Sequence, residues 1–311
     1  MQSSPARPLA LATGIALLLS LAACSSTPPS GTAGTAADAG TFASGDENTL
    51  VFAVLPDREG ADQDNQPIAD WISGETGKEV RFFEATDYAA VVQGLAAGQI
   101  DIAQISGFTY YQAQNAGAQI EPIGALISQE GGEPGYHSVA IKNPASDAST
   151  LSDFADQRVC FVSPASTSGF AVPTGSLLEA GVTVDETNRV FGEKHDLTVA
   201  QVAEGFECQV GFAQDADADP MIATGAVEEV TRVRVPGEPI VMQSALPQDL
   251  KDELTALLAD STPQDLVDAG FELNEYLAEN WFGYGKVDDS YYDLIRTLCD
   301  EVADQVTACR A

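Results

Sequence analysis

An α/β fold is expected, with mostly parallel sheets flanked by helices, and three observations predict it. Short apolar runs alternate with helix-like segments from Leu50 onward, at the spacing of strand–helix–strand units. The chain has 311 residues, enough for two lobes that each bury a core. No internal repeat replaces that alternation with a stacked array.

Taken in order, Leu50 to Leu55 reads as a strand stopped by Pro56. Pro67 to Ile72 opens a helix with Ile68 and Trp71 on one side, closed by Gly74 or Gly77. Val80 to Phe83 is a strand, Asp87 to Ala97 a helix ended by Gly98, and Ile100 to Ile105 a strand. A short helix follows Gly107, then a strand from Ile120 to Ser128. Later strands are expected at Ser138 to Ile141, Arg158 to Val162, Arg189 to Phe191 and Cys208 to Phe212. Ligands of open α/β sheets bind beyond the carboxyl ends of strands. The turns to inspect are therefore Leu55-Pro56-Asp57, Thr86-Asp87-Tyr88, Ser106-Gly107-Phe108, Ser166-Thr167-Ser168, Lys194-His195-Asp196 and Gln214-Asp215.

One of these turns stands out. The buried-strand pattern Val159 to Val162 breaks at Ser163-Pro164, and Ser166, Thr167, Ser168 and Gly169 lead into a helix running to Ala180, with Gly181 at its expected cap. The first-turn N–H groups of a helix lack intrahelical partners, and its dipole favours negative charge. Three consecutive hydroxyls add donors without adding positive charge. The plain alternative is that they only cap the helix.

Composition narrows the partners. With 14 basic and 47 acidic residues the chain carries a net charge of −33, which argues against binding nucleic acid or anionic lipid surfaces. Any bound anion must be held by local dipoles and hydroxyls against that field. Two His and scattered Cys supply no zinc ligand set, and no cofactor is expected.

The N-terminus reads as a targeting segment. Arg7 precedes an apolar stretch from Leu9 to Leu21, too short to span a bilayer, ending in Leu21-Ala22-Ala23-Cys24. That ending resembles the lipobox of bacterial lipoproteins, in which the Cys becomes the lipidated first residue. Residues 1–23 are thus expected to be a signal peptide, and residues 24–48 a lipid anchor and flexible tether. The tether is rich in Ser, Thr, Gly, Pro and Ala, with Phe42 its one large apolar residue. About 24 such residues reach roughly 27 Å at about 5.5 Å × √n. The membrane would be met only through this anchor, outside the cytoplasm. Removing Cys24 leaves Cys160, Cys208, Cys299 and Cys309, an even number in an oxidising location. Three pairings are open. Cys160–Cys208 is favoured because both lie in apolar strand-like runs, with Cys299–Cys309 near the C-terminus.

A family resemblance emerges from several blocks read together. They are Val54-Leu55-Pro56, Ala85 to Val92 (ATDYAAVV), Gly98 to Ala103 (GQIDIA), Pro134 to Val139 (PGYHSV), and Ser166 to Phe170 followed by Val172-Pro173. Their order and spacing resemble the phosphonate, phosphite and phosphate substrate-binding proteins of ABC importers, from about Leu50 to about Val241. The resemblance implies two α/β lobes joined by two crossing strands and closing on ligand as a hinge. Residues 49–137 and 233–311 would form lobe 1 and residues 138–232 lobe 2. It implies a small phosphorus oxyanion as ligand, a permease as partner, and a monomer. Ser166, Thr167 and Ser168 match the family's oxyanion block, Tyr88 its TDY tyrosine, and His195 a histidine opening the helix after the next strand. Glu238 and Asp215 lie at or near its acidic positions. Gln104-Ile105-Ser106 departs from the family, many members of which carry an aromatic before a Gly there.

Two further expectations concern chemistry. Protonation of His195 near pH 6.5 should strengthen anion binding as pH falls. A buried acid such as Asp215 can accept a hydrogen bond from a protonated phosphoryl oxygen, which sulfate cannot offer. His137 reads as a packed or hinge histidine. Two other functions are weighed. Ser166 or Ser168 with His195 and Asp215 has the residue types of a hydrolase triad, but the Gly-x-Ser-x-Gly elbow is absent, so catalysis is not expected. A binding protein for another anion such as a sulfonate would call for aromatic walls and fewer hydroxyls.

Overall fold

Strand β1 (Thr49–Val54) is buried along almost its whole length, as its sequence TLVFAV requires, and it organises the first sheet. The computed structural model describes residues 41–310; Cys24, the signal segment and most of the tether lie outside them. The remaining strands are β2 (Glu79–Phe82), β3 (Ile102–Gln104), β4 (Ile120–Leu126), β5 (Tyr136–Lys142), β6 (Val159–Phe161), β7 (Arg189–Phe191), β8 (Val210–Gln214), β9 (Glu228–Val235), β10 (Pro239–Gln243) and β11 (Tyr284–Gly285). They form a six-stranded sheet in the order β11-β4-β10-β3-β1-β2 and a five-stranded sheet in the order β7-β6-β8-β5-β9.

The α/β layering is as expected, and four strands of each sheet run in one direction, with β10 and β11 set against them in the first sheet and β5 in the second. β1 runs parallel to β2 and β3, and β6 parallel to β7 and β8. In contrast β10 is antiparallel to β3 and β4, β11 to β4, and β5 to both β8 and β9. The reason is the crossing of the chain. It leaves the first sheet after β4 and returns after β9, so β10 inserts between β3 and β4 against their direction. Pro239 opens β10, the strand position where a missing N–H is tolerated.

Three apolar clusters hold the layers. Leu50, Phe52, Ile68, Trp71 and Trp281 pack beneath the first sheet, and Val139, Ile141, Val199 and Val202 beneath the second. The third cluster joins Phe108 and Tyr110 to Phe161, Phe170 and the C-terminal residues Tyr292 and Val302, so one core is continuous between the two sheets. Cys160 and Cys208 are bonded with Cα atoms 5.7 Å apart, and Cys299 and Cys309 with Cα atoms 4.9 Å apart.

The folded body starts earlier than the composition of the tether implies. Thr41 N–H donates to Ala245 C=O over 2.8 Å, and Ala43 N–H donates to Asp101 over 2.8 Å. The same Asp101 carboxylate accepts Val51 N–H, also over 2.8 Å. Phe42 packs on the first core with the Lys78 ammonium 5.2 Å from its ring centre. One aromatic side chain and one buried carboxylate therefore fix a stretch that otherwise reads as linker.

The two crossings, residues 127–135 and 236–238, touch each other. A Cβ at Gly237 would lie 2.4 Å from the Leu126 carbonyl oxygen and 2.9 Å from the Gly135 nitrogen. Only glycine lets the crossing backbones approach that closely.

Candidate functional site

The hydroxyl turn after β6 folds as a wide helical turn. Ser166 is extended (φ −78°, ψ 136°) and caps the π-helical turn Thr167–Ala171, from which the helix Val172–Glu179 continues. Its Oγ accepts Gly169 N–H over 3.0 Å, and its carbonyl accepts Ala171 N–H over 3.0 Å. Gly169 is required here, since a Cβ would sit 2.4 Å from Cγ2 of Val162. Single π turns of this kind recur at functional sites.

The three hydroxyls differ in what they have left to give. Thr167 Oγ1 accepts Phe108 N–H over 2.7 Å, a bond that reaches from the second sheet to the helix Gly107–Asn115 of the first. Both Ser166 and Thr167 thus accept a backbone N–H; the Ser166 proton faces the Tyr88 phenol, and Thr167 keeps its own for a further acceptor. Ser168 Oγ is buried with no well-formed hydrogen bond, its neighbour being the Tyr136 phenol that it pulls slightly down against burial, while its carbonyl accepts the Ser138 hydroxyl over 2.6 Å. An orphaned buried hydroxyl costs about 1–3 kcal/mol until a partner arrives.

Tyr88 opens the helix Tyr88–Ala96, capped by Asp87, whose carboxylate accepts Ala90 N–H over 2.8 Å. Burial raises its phenol well above the ordinary range, against a small opposing pull from the Ser166 hydroxyl beside it. Tyr136, at the start of β5, is raised in the same way by burial. Both phenols therefore stay protonated and can donate.

His195 opens the helix His195–Glu204 and is 2% exposed. Its Nδ1 accepts Gln214 N–H over 2.9 Å, which leaves the single ring proton on Nε2. Burial pushes its pKa down to about 3. The expected strengthening of binding by His195 protonation is therefore corrected: burial disfavours the charged ring, which is a neutral donor. Its backbone N–H donates to Asp57 C=O over 2.7 Å, and Glu59 N–H donates to Asp196 over 3.1 Å. Lys194 pairs with Glu59 in the same place, so residues 57–59 and 194–196 clasp across the cleft.

An acidic side faces these donors. Glu238 lies in the second crossing, and burial pushes it up to about 7, the Gln104 side chain pulling down while Asp215 and Asp217 push up. Asp57 is raised well above the carboxylate range by burial and by Glu238. Asp217 rises to about 6 by burial although Gln214 Nε2 donates to it over 2.7 Å. Asp215 is placed differently: its carboxylate meets Nδ1 of His137 at 2.9 Å. A serine–His195–Asp215 triad is thus not assembled, since Asp215 binds the other histidine and Nδ1 of His195 has no proton to offer it.

Two cavities open beside this cluster. One of about 460 Å³ is lined by Tyr136, Gln214, Asp215, Glu238 and Tyr276, and one of about 310 Å³ by Pro56, Arg58, Glu59 and Lys194. The Arg58 guanidinium lies 3.5 Å over the Tyr276 ring and is bonded to Asp64, so this cation is already engaged. The structure brings Tyr88 and Ser166 side by side, and Asp57, Asp217 and Glu238 within electrostatic reach of one another. Asp57 lies in the first strand-end turn, where the sequence directs attention. Tyr276, 38 residues beyond Glu238, carries no local signal.

Comparison with known proteins finds a family and several relatives. Residues 52–292 match the family model described as the ABC transporter, phosphonate, periplasmic substrate-binding protein. The chain is 32% identical over 301 residues to the phosphate-import protein PhnD of Mycolicibacterium smegmatis, covering 90% of this chain and 94% of that one. Among solved structures it resembles a binding-protein component of a phosphonate ABC transporter from Pseudomonas aeruginosa, with a TM-score of 0.69 and 23% identity, over 84% of this chain and 90% of that one. It also resembles PhnD1 from Prochlorococcus marinus in complex with methylphosphonate, with a TM-score of 0.69 and 18% identity, over 82% and 98%.

Proposed function

We propose that this chain, which belongs to the family of periplasmic phosphonate-binding proteins of ABC transporters, captures a small phosphorus oxyanion (phosphate, phosphite or a phosphonate) by closing two lobes around it. It is a transport component, not an enzyme, and acts outside the cytoplasm. The observation that supports the ligand reading is the buried Ser168 Oγ, without a well-formed hydrogen bond, beside the Ser166 and Thr167 hydroxyls and the Tyr88 and Tyr136 phenols. Ser166, Thr167 and Ser168 donate to the oxyanion from one side, Tyr88 from the other, and His195 through Nε2–H. Each such bond to a charged partner is worth about 1.5–3 kcal/mol. Glu238, and Asp215 at the wall of the larger cavity, accept from a protonated phosphoryl oxygen or an added substituent.

That the relatives import phosphate or hold methylphosphonate supports this class of ligand. The two lobes, residues 49–137 with 233–311 and residues 138–232, would each be built around one sheet, although Tyr136–His137 and Val233–Val235 already belong to β5 and β9 of the second. The remaining parts of the reading are a signal peptide through residue 23, a lipid on Cys24, two disulfides in the exported monomer, and a cognate permease. Isothermal calorimetry with phosphate, phosphite, methylphosphonate and methanesulfonate tests the ligand. One phosphorus oxyanion should bind at one site per chain and the sulfonate should not. Binding of none of the three, or tighter binding of the sulfonate, overturns the reading.

A further inference from the structure

Three phenol contacts converge where the chain crosses between the sheets. Tyr291 Oη donates to Pro134 C=O over 2.7 Å and accepts Gly237 N–H over 3.1 Å. Tyr292 Oη donates to Gly237 C=O over 3.0 Å. Pro134 belongs to the first crossing and Gly237 to the second, so one phenol joins both. The two tyrosine rings stand edge to face at 5.0 Å, and Tyr292 is almost fully buried against Tyr110, ring to ring at 5.1 Å.

These tyrosines sit on the turn Asp289–Tyr292, and the helix Asp293–Val302 follows at once. Past that helix, Arg189 at the start of β7 donates to the Gln305 carbonyl over 2.8 Å and to its side chain over 2.9 Å. The C-terminal segment therefore holds both crossings at one end and the second sheet at the other. Glu238 follows Gly237 directly. With the N–H and the C=O of Gly237 both taken by phenols, the chain leaves Gly237 in one fixed direction.

We propose that Tyr291 and Tyr292 are positioning residues of the oxyanion site, clamping the two crossings together and thereby holding Glu238 in the cleft. This deepens the phosphorus-oxyanion reading and rests on it. The phenols touch no ligand; they act through the Gly237 peptide and its neighbour.

A double-mutant cycle tests that route, since a residue acting through Glu238 has nothing to act on once Glu238 is changed. Tyr291→Phe keeps the ring and removes the hydroxyl. Calorimetry with phosphate and methylphosphonate should show roughly tenfold weaker binding for Tyr291→Phe, but less than about twofold further loss when it is added to Glu238→Gln. An equal loss in both backgrounds overturns the proposal. A second measurement needs no ligand. Hydrogen exchange of the backbone amides at 135–136 and 237–238 in the unliganded protein should quicken about tenfold in Tyr291→Phe, and again for 237–238 in Tyr292→Phe. Unchanged exchange in both variants overturns the clamp. Should the wild-type protein bind neither anion, the ligand reading fails, while the exchange rates still decide whether the phenols hold the crossings.

Discussion

Gln214 donates its backbone N–H to Nδ1 of His195 over 2.9 Å. That bond decides the histidine's part in the site. It fixes the tautomer with the proton on Nε2, and burial keeps the ring neutral down to about pH 3. A histidine opening a helix reads from sequence as a pH switch, yet here it is a fixed donor. Sensitivity to pH passes instead to the half-buried carboxyls Asp57, Asp217 and Glu238.

The stability of the unliganded protein should therefore fall as pH rises from about 4 to 7. Glu238 is raised to about 7 and Asp217 to about 6, both chiefly by burial. A carboxyl raised on folding keeps a proton in the folded state that the unfolded chain has lost. Its stabilising contribution is complete below the ordinary carboxylate pKa and lost as pH passes the raised value, by about 1.4 kcal/mol per pH unit for each such proton. Asp153 works the other way, being held down to about 2 by the N–H groups of Ser149 and Thr150, but it titrates below this window. Differential scanning calorimetry should give a higher Tm at pH 5 than at pH 7.5, and Glu238→Gln should flatten the difference. A Tm that climbs over that range would show that burial does not raise these acids.

Much of the fold is local and so was legible. The strands beginning near Leu50, Val80, Ile100, Ile120 and Arg189 follow from apolar runs and their Pro or Gly stops, and the hydroxyl block is three adjacent residues. What could not be read joins distant parts of the chain. β9 carries the alternating, charged sequence EEVTRVRV on a sheet edge, β10 begins with Pro239, and β11 has two residues. The antiparallel pairings follow from the chain's return to the first sheet, which no window of sequence contains. Asp215 finds His137 across 78 positions, and Tyr291 finds Pro134 across 157. Phe108 grips Thr167 through a backbone N–H, which leaves no trace in residue type.

The two disulfides should differ in what they contribute. Cys160–Cys208 closes 48 residues and Cys299–Cys309 closes 10. Loop-closure entropy gives about 4 kcal/mol for the longer and about 3 kcal/mol for the shorter. Denaturant unfolding of the paired Cys→Ala variants should show losses in that order, and non-reducing peptide mapping of the exported protein should find no free thiol at these four positions. A free thiol at Cys160 or Cys208 would remove the first bond from the exported state.

Cys24 lies outside the described residues, so its part is argued from Leu21-Ala22-Ala23-Cys24 alone. Cys24→Ser should block processing or release the protein into the medium, read by fractionation of cells and medium. Membrane retention of a normally processed, mature-sized Cys24→Ser protein would mean that something else anchors the chain.

Thr167 should have a double effect, because its hydroxyl accepts Phe108 N–H over 2.7 Å and has its own proton left for the ligand. Thr167→Val keeps the shape of the side chain and removes both bonds; Thr167→Ser keeps both. The lost bond to a charged ligand is worth about 1.5–3 kcal/mol, and each 1.4 kcal/mol is about tenfold in affinity. Calorimetry with phosphate and methylphosphonate should therefore show Thr167→Val weaker by roughly tenfold to a hundredfold, and Thr167→Ser within a fewfold of wild type. Both variants should still unfold cooperatively, since the apolar core between the sheets is untouched. Affinity should also change little between about 0.05 and 0.5 M salt, because enclosed donors are poorly screened even on a chain of net charge −33. Wild-type affinity in a folded Thr167→Val protein would show that this hydroxyl only joins the two sheets, and that the anion is held elsewhere in the turn.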